Sequence, residues 1–345
     1  MESEINDNIE ISGDAKLASY KSVCARLGLF MCVYYACRIV SGIISAIIVS
    51  LSPVLGGTVS YLLATVIAIV FSYIVPIYAA MLLFKSFSKY GGSLRMLYKK
   101  PRRLARALGT FPAMYGMGFG IALLTALVSM LISKISGGQS LIDELFRPTS
   151  LQPSTNIVSV LIMYLILVVA APVFEEFLVR GIMYDALKPY GCGMAIIISS
   201  VLFGLMHGSL YMLFYATALG FALAYVRYAT GSLFVTTILH ALINSVSGSL
   251  LLISSLAEMT GGKSRLVNTF LGIYFLAFFI LVVLGVVSII KKIPTIRKYR
   301  IENEWADVKA GRKTALFFLS VPVMIMLVLA INEHANNLLL NLIIK

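Results

Sequence analysis

A succession of apolar runs, each about as long as a bilayer is thick, constrains this chain more than any other feature. A membrane-crossing helix needs about 20 apolar residues. Nine stretches qualify, at roughly 27–52, 58–84, 111–133, 156–187, 193–207, 209–227, 232–255, 266–290 and 314–332. The fifth is short for a crossing, and the fourth is long enough to run beyond the membrane. The chain is 59% apolar and 12% charged, against about 45–50% and 25% in ordinary globular domains. That balance excludes a soluble enzyme, a disordered chain and a coiled coil. The expected fold is an all-α polytopic transmembrane helix bundle of about nine spans.

The distribution of charge orients these spans. The net charge is +13, but the basic residues cluster between apolar runs, as orientation signals do. Nucleic acid is therefore not an expected partner. Segment 85–106 holds eight Lys and Arg and no acid, and segment 291–313 holds eight against three acids. With a cytoplasmic N-terminus and nine spans, both fall inside, as do Lys188 and Arg227. The turn at 207, between the fifth and sixth runs, is a candidate re-entrant point. The first 26 residues carry five acids and no apolar core, and read as a mobile tail. The layout is then a tail over 1–26, accessory spans over 27–155, a core over 156–255 and C-terminal spans over 256–345. Cys24, Cys32, Cys37 and Cys192 show neither metal-binding nor disulfide spacing. Gly116 with Gly120, and Gly220 with Ala224, are spaced for close helix packing.

In so apolar a chain the ionisable groups inside the runs carry the chemical information, because each is costly to bury. Glu175 and Glu176 lie deep in the fourth run. Arg180 follows Glu176 by four residues, the favourable order for an acid–base pair on one helix face. Glu175 points about 100° away, so one carboxylate can be paired while the other faces a cavity. His207 ends the fifth run one turn after Phe203. His240 and Asn244 share a face of the seventh. His334, in NEHANN, reads as a solvated end. A carboxylate base, an imidazole to hold water, and a second imidazole with an amide to meet an oxyanion are the parts that water-activating chemistry uses.

These residues form three motifs: Glu175-Glu176-Phe-Leu-Val-Arg180, Phe203-Gly-Leu-Met-His207 and His240-Ala-Leu-Ile-Asn244. In this order they resemble the CPBP family of intramembrane proteases, which includes CAAX prenyl proteases and Abi-type, bacteriocin-processing proteases. The resemblance covers about residues 155–250. It implies that Glu175 activates water, that His207 holds it, and that His240 and Asn244 stabilise the oxyanion. Glu176, Arg180 and Phe203 would be supporting groups. The substrate would be a membrane-associated peptide or protein, and the location a bacterial cytoplasmic membrane.

Glu175, His207 and His240 are also the residues that could hold zinc. The chain has no HExxH, and adjacent helical glutamates cannot both point at one ion, so a metal-free glutamate mechanism is the expectation. Two other readings use the same residues. One is an ion- or proton-coupled transporter with a Glu/His relay, for which no inverted repeat is visible. The other is a catalytically silent membrane scaffold.

Overall fold

The computed structural model describes residues 13–84, 104–136, 156–298 and 309–331, and among them there are helices and no strands. The principal elements are α1 (Gly13–Ser50), α2 (Gly57–Phe84), α3 (Phe111–Ser136), α4 (Ile157–Tyr190) and α5 (Cys192–Leu205). They continue with α6 (Leu210–Thr230), α7 (Leu233–Met259), α8 (Arg265–Lys298), α9 (Ala310–Phe318) and α10 (Val321–Ile331). Helices are the only open-chain answer in lipid, where every backbone amide must find a partner within its own segment.

Seven of the described helices are long and apolar enough to cross a membrane, and α9 with α10 makes an eighth candidate, bent by 69°. The α8 span shows how such a helix meets lipid. Phe270, Phe275, Leu276, Phe279 and Ile290 are each more than half exposed along it. So large an apolar surface is a liability in water and the ordinary outer face of a membrane helix. The chain is accordingly a multi-pass integral membrane protein.

The expected count of nine crossings differs at α5. Its 14 residues rise about 21 Å, short of a hydrocarbon core of about 30 Å. After the turn at Gly191, where φ is +130°, α5 runs back along α4 and ends beside Glu175. The antiparallel α6 then leaves from that point.

Two buried clusters hold the bundle. One joins Tyr20, Leu27 and Met31 of α1 to Leu178 and Met183 of α4, Ile196 and Phe203 of α5, and the α9–α10 pair. The other joins α3, α6 and α7 through Met114, Leu219, Leu223, Val235 and Leu239. The first cluster corrects the expected tail over 1–26. Helix starts at Gly13, and Tyr20 and Cys24 are fully buried. The Tyr20 hydroxyl donates to the Lys313 carbonyl at 2.9 Å. The reason lies in residues 17–31, where Leu17, Tyr20, Cys24, Leu27 and Met31 recur at helical spacing. Four of the five acids precede Gly13 and lie outside the described residues. So do 85–103 of the basic loop, 137–155, 299–308 and His334.

Gly116 is a contact point between helices, whereas a side chain on Gly120 would meet nothing. A Cβ on Gly116 would stand 2.8 Å from the backbone of Gly285 on α8. Gly116→Val should therefore push α3 and α8 apart at a cost of about 1–3 kcal/mol. Thermal unfolding in detergent would show this as a lowered midpoint, while Gly120→Val should leave the midpoint unchanged.

Candidate active site

The two glutamates lie at the centre of α4, between two π-helical turns at Ile166–Ala170 and Phe177–Met183. Such bulges change which side chains face inward and often mark functional sites. Here they bracket Ala171–Glu176, a regular segment whose adjacent carboxylates face about 100° apart.

Glu176 is fully buried, and so is Arg180. The Arg180 Nη1 donates to Glu176 Oε1 at 2.8 Å, and Nη2 donates to the Gly220 carbonyl at 3.0 Å. The guanidinium also lies over the Phe203 ring, 4.4 Å from its centroid. Gly220 admits this arrangement. A Cβ there would stand 3.3 Å from Arg180 Nη2 and 3.1 Å from Phe203. The small residue at this position thus makes room for a buried cation as well as a neighbouring helix. A second ion pair, between Arg227 Nη2 and Asp185 Oδ2 at 3.0 Å, ties the end of α6 to α4.

Glu176 Oε1 also meets His240 Nδ1 at 3.1 Å. That oxygen already accepts from arginine, so Nδ1 carries the hydrogen. The other ring nitrogen, Nε2, lies 3.9 Å from Glu175 Oε2. This is too long for a direct hydrogen bond. With Nδ1–H committed to Glu176, Nε2 can donate only when the ring holds both protons.

Glu175 faces a cavity of about 330 Å³ that His207, Phe203 and Tyr73 also line. Its Oε1 accepts from the Tyr73 hydroxyl at 3.3 Å. Tyr73 is itself stacked on Phe174, with centroids 5.2 Å apart. His207 Nδ1 is 2.8 Å from the Phe203 carbonyl. A carbonyl only accepts, so Nδ1 is the protonated nitrogen and Nε2 the basic one. Glu175 and His207 therefore share one solvent-sized space, while Glu176 and Arg180 stay sealed behind it.

Asn244 occupies a different place. Its Nδ2 donates to the Leu167 carbonyl at 2.9 Å, and neither Asn244 nor His240 lines the cavity. The bond has a local cause. In the π-helical register the Ala171 N–H reaches back five residues to Ile166. The next residue, Pro172, has no N–H to give Leu167. Asn244 supplies the missing donor with one of its two amide hydrogens. Asn244→Ala should leave Leu167 unpaired and cost about 1–3 kcal/mol. A lower unfolding midpoint beside any loss of activity would separate this structural part from a purely catalytic one.

Several contributors were hidden in the sequence because they lie on accessory helices. Tyr34 and Tyr35 of α1 donate to the carbonyls of Met206 at 3.2 Å and Leu205 at 3.0 Å. They satisfy the end of α5 and fix the turn that carries His207. Tyr73 comes from α2, and Arg38 of α1 also lines the cavity. Polar residues inside apolar runs were the available signal: Arg38 stood in the first run, but its place in the site depends on packing.

Glu175, His207 and His240 do not form a ligand set for zinc in this arrangement. Among the described residues no three His, Cys, Asp or Glu side chains are grouped to hold a metal. His240 turns Nδ1 to Glu176 and holds Nε2 off Glu175.

Fold and site together define a polytopic helical membrane protein with a carboxylate–imidazole cluster inside its bundle. Residues 157–246, about a quarter of the chain, match the family described as type II CAAX prenyl endopeptidase Rce1-like. That match supports a likeness of this segment to the CPBP/CAAX proteases. No curated protein matches the chain, and no solved structure does.

Proposed function

We propose that the protein is an intramembrane endopeptidase that hydrolyses a peptide bond in a membrane-associated peptide or protein, using water activated by Glu175. The observation that carries this reading is the division of labour between adjacent carboxylates. Glu176 is neutralised by Arg180, while Glu175 opens onto the cavity shared with His207.

In the proposed reaction a water between Glu175 and His207 attacks the scissile carbonyl carbon. Its proton passes to Glu175, and the carbonyl oxygen becomes an oxyanion. His240, protonated at both nitrogens, and the second amide hydrogen of Asn244 would donate to that oxygen, with substrate bound and the neighbouring side chains adjusted to it. The C–N bond then breaks, the leaving nitrogen takes the proton from Glu175, and the products are a carboxylate and an amine. Tyr73 keeps Glu175 Oε1 engaged and leaves Oε2 for the water. Placing the reaction in a walled cavity keeps bulk water from competing with these fixed donors.

The test is release of a peptide fragment by purified protein in detergent or lipid, with His207→Ala and His240→Ala as comparisons. Both variants should lose activity. The reading also expects no metal: after washing with chelator, the protein should retain full activity and carry no stoichiometric zinc by elemental analysis. Zinc bound one-to-one, with activity lost on its removal and regained on its return, would overturn the glutamate mechanism. Ion flux without fragment release would favour a transporter.

A further inference from the structure

We infer that Thr65 and Ser72 of α2 bind the main chain of an extended peptide, so that a helix outside the family-matched segment holds the substrate beside Glu175. The inference rests on the endopeptidase reading in taking the ligand to be a peptide. Both residues line the cavity that Glu175 and His207 share, and both are half-buried.

The wall around these hydroxyls is apolar. Ala68 and Ile69 of the same helix line it, as do Met163 and Ile166 of α4. A hydroxyl on a helix in such surroundings can return to its own backbone. Thr125 and Thr237 do so, donating to the carbonyls of Ile121 and Leu233 at 2.8 and 2.9 Å. Among the described residues Thr65 and Ser72 make no such bond. An unmet hydroxyl in an apolar setting is costly, and a few placed polar groups in an apolar cavity are what orients a ligand. A peptide main chain brings a donor and an acceptor with almost every residue. A hydrocarbon chain brings neither.

The spacing fits an extended strand. Thr65 and Ser72 are seven residues apart, two helical turns, so they share a face about 10 Å apart along the axis. In an extended peptide the N–H of one residue and the C=O of the second residue beyond it point to the same edge. With an advance of about 3.3–3.6 Å per residue, these two groups stand roughly 9–10 Å apart. One hydroxyl can accept from that N–H while the other donates to that C=O. Helix α2 is pinned on either side of the pair. The Tyr61 hydroxyl donates to the Ser159 carbonyl at 3.3 Å, and the Tyr73 hydroxyl donates to Glu175. Ser72 and Tyr73 lie in a π-helical turn, Val70–Ile74, a feature often found at functional sites. Ser72 is therefore the member of the pair nearer the proposed base, and the peptide runs from there toward Thr65.

The experiment uses short peptide amides with uncharged cores, each carrying an N-terminal acyl anchor and a fluorophore. From a small panel the best-cleaved peptide is taken, or the best-bound one where none is cleaved. Its amides, other than the scissile one, are replaced singly by esters. Each ester removes an N–H and weakens a carbonyl while keeping every side chain. KM and kcat are measured with wild type, Thr65→Val, Ser72→Ala, and the hydroxyl-keeping Thr65→Ser and Ser72→Thr. Binding of the same peptides is measured by fluorescence anisotropy in detergent on Glu175→Gln protein, with and without these changes.

Two ester positions, three bonds apart, should each raise KM and Kd by about 3–10-fold, the range of one neutral hydrogen bond. Thr65→Val should erase the sensitivity at one of them and Ser72→Ala at the other, whereas Thr65→Ser and Ser72→Thr should keep both. A merely structural role would weaken every peptide equally. That result would overturn the proposal, as would an ester series with no sensitive position or a panel in which no peptide binds. Tighter binding by Thr65→Val would also overturn it, by showing that an apolar chain occupies this wall. The two-position pattern on Glu175→Gln protein, without any Glu175-dependent cleavage, would refute the peptidase reading and leave the main-chain site standing.

Discussion

Replacing Glu175 by glutamine should abolish peptide hydrolysis, with a loss of at least about 10²–10⁴-fold, the usual share of a general base. The amide has nearly the same shape and can still accept the Tyr73 hydroxyl, so the cavity keeps its form. What it lacks is the basicity to take a proton from water. Glu175 is 16% exposed and belongs to no close ion pair with arginine or lysine among the described residues, so folding should be nearly unaffected. Initial rates of fragment release, set beside unfolding curves of the same preparations, check both halves. A Glu175→Gln protein working at the wild-type rate would sink the assignment of this residue as base.

Arg180→Met should be the most destabilising single change near the site, by about 3–5 kcal/mol. The cause is the neighbour it abandons. Glu176 is fully buried, and Arg180 is the strong cation against it. Removing the cation strands a negative charge in an apolar interior and takes away the side-chain donor to the Gly220 carbonyl. The double variant Glu176→Gln with Arg180→Met should recover much of the loss, because the stranded charge goes with its partner. The comparison is made by unfolding in detergent. A single variant as stable as wild type would mean that the pair does not hold this part of the bundle together. The contrast between the two glutamates is itself diagnostic: change at Glu175 should fall on rate, and change around Glu176 on stability.

The parts of this site that could be read in the sequence are those set by local geometry. Glu176 and Arg180 are four residues apart on one helix, so their pairing follows from helical pitch alone. The separate direction of Glu175 follows from the same pitch. His207 and its bond to the Phe203 carbonyl also span one turn. The contributions that were not legible cross the bundle. Tyr73 reaches Glu175 over 102 positions of sequence, and Tyr34 and Tyr35 reach the end of α5 over more than 160. No periodicity within a run announces such meetings; they depend on how α1 and α2 pack against α4 and α5.

The fold shows the same division. Apolar runs identified the helices because lipid leaves an open chain few alternatives. They placed the first boundary too late, because the acids before Gly13 masked a short amphipathic stretch that begins the first helix. The run at 193–207, already short for a crossing in the sequence, forms the 14-residue α5, which rises only about 21 Å. Asn244 is the most instructive residue. Its spacing from His240 shows that they share a face, but its bond to Leu167 depends on a π-helical turn preceding a proline. Hydropathy is blind to that coincidence.

Membranes carrying the wild-type protein and membranes carrying the Glu175→Gln protein should differ in their new N-termini. Mass-spectrometric mapping of those termini tests the central claim most directly, because it asks for cleavage of native membrane substrates and for its dependence on one carboxylate. The account predicts a defined set of neo-N-termini in membrane-associated proteins, present with wild type and absent with the variant at equal protein levels. Identical sets of termini in the two membranes would contradict it.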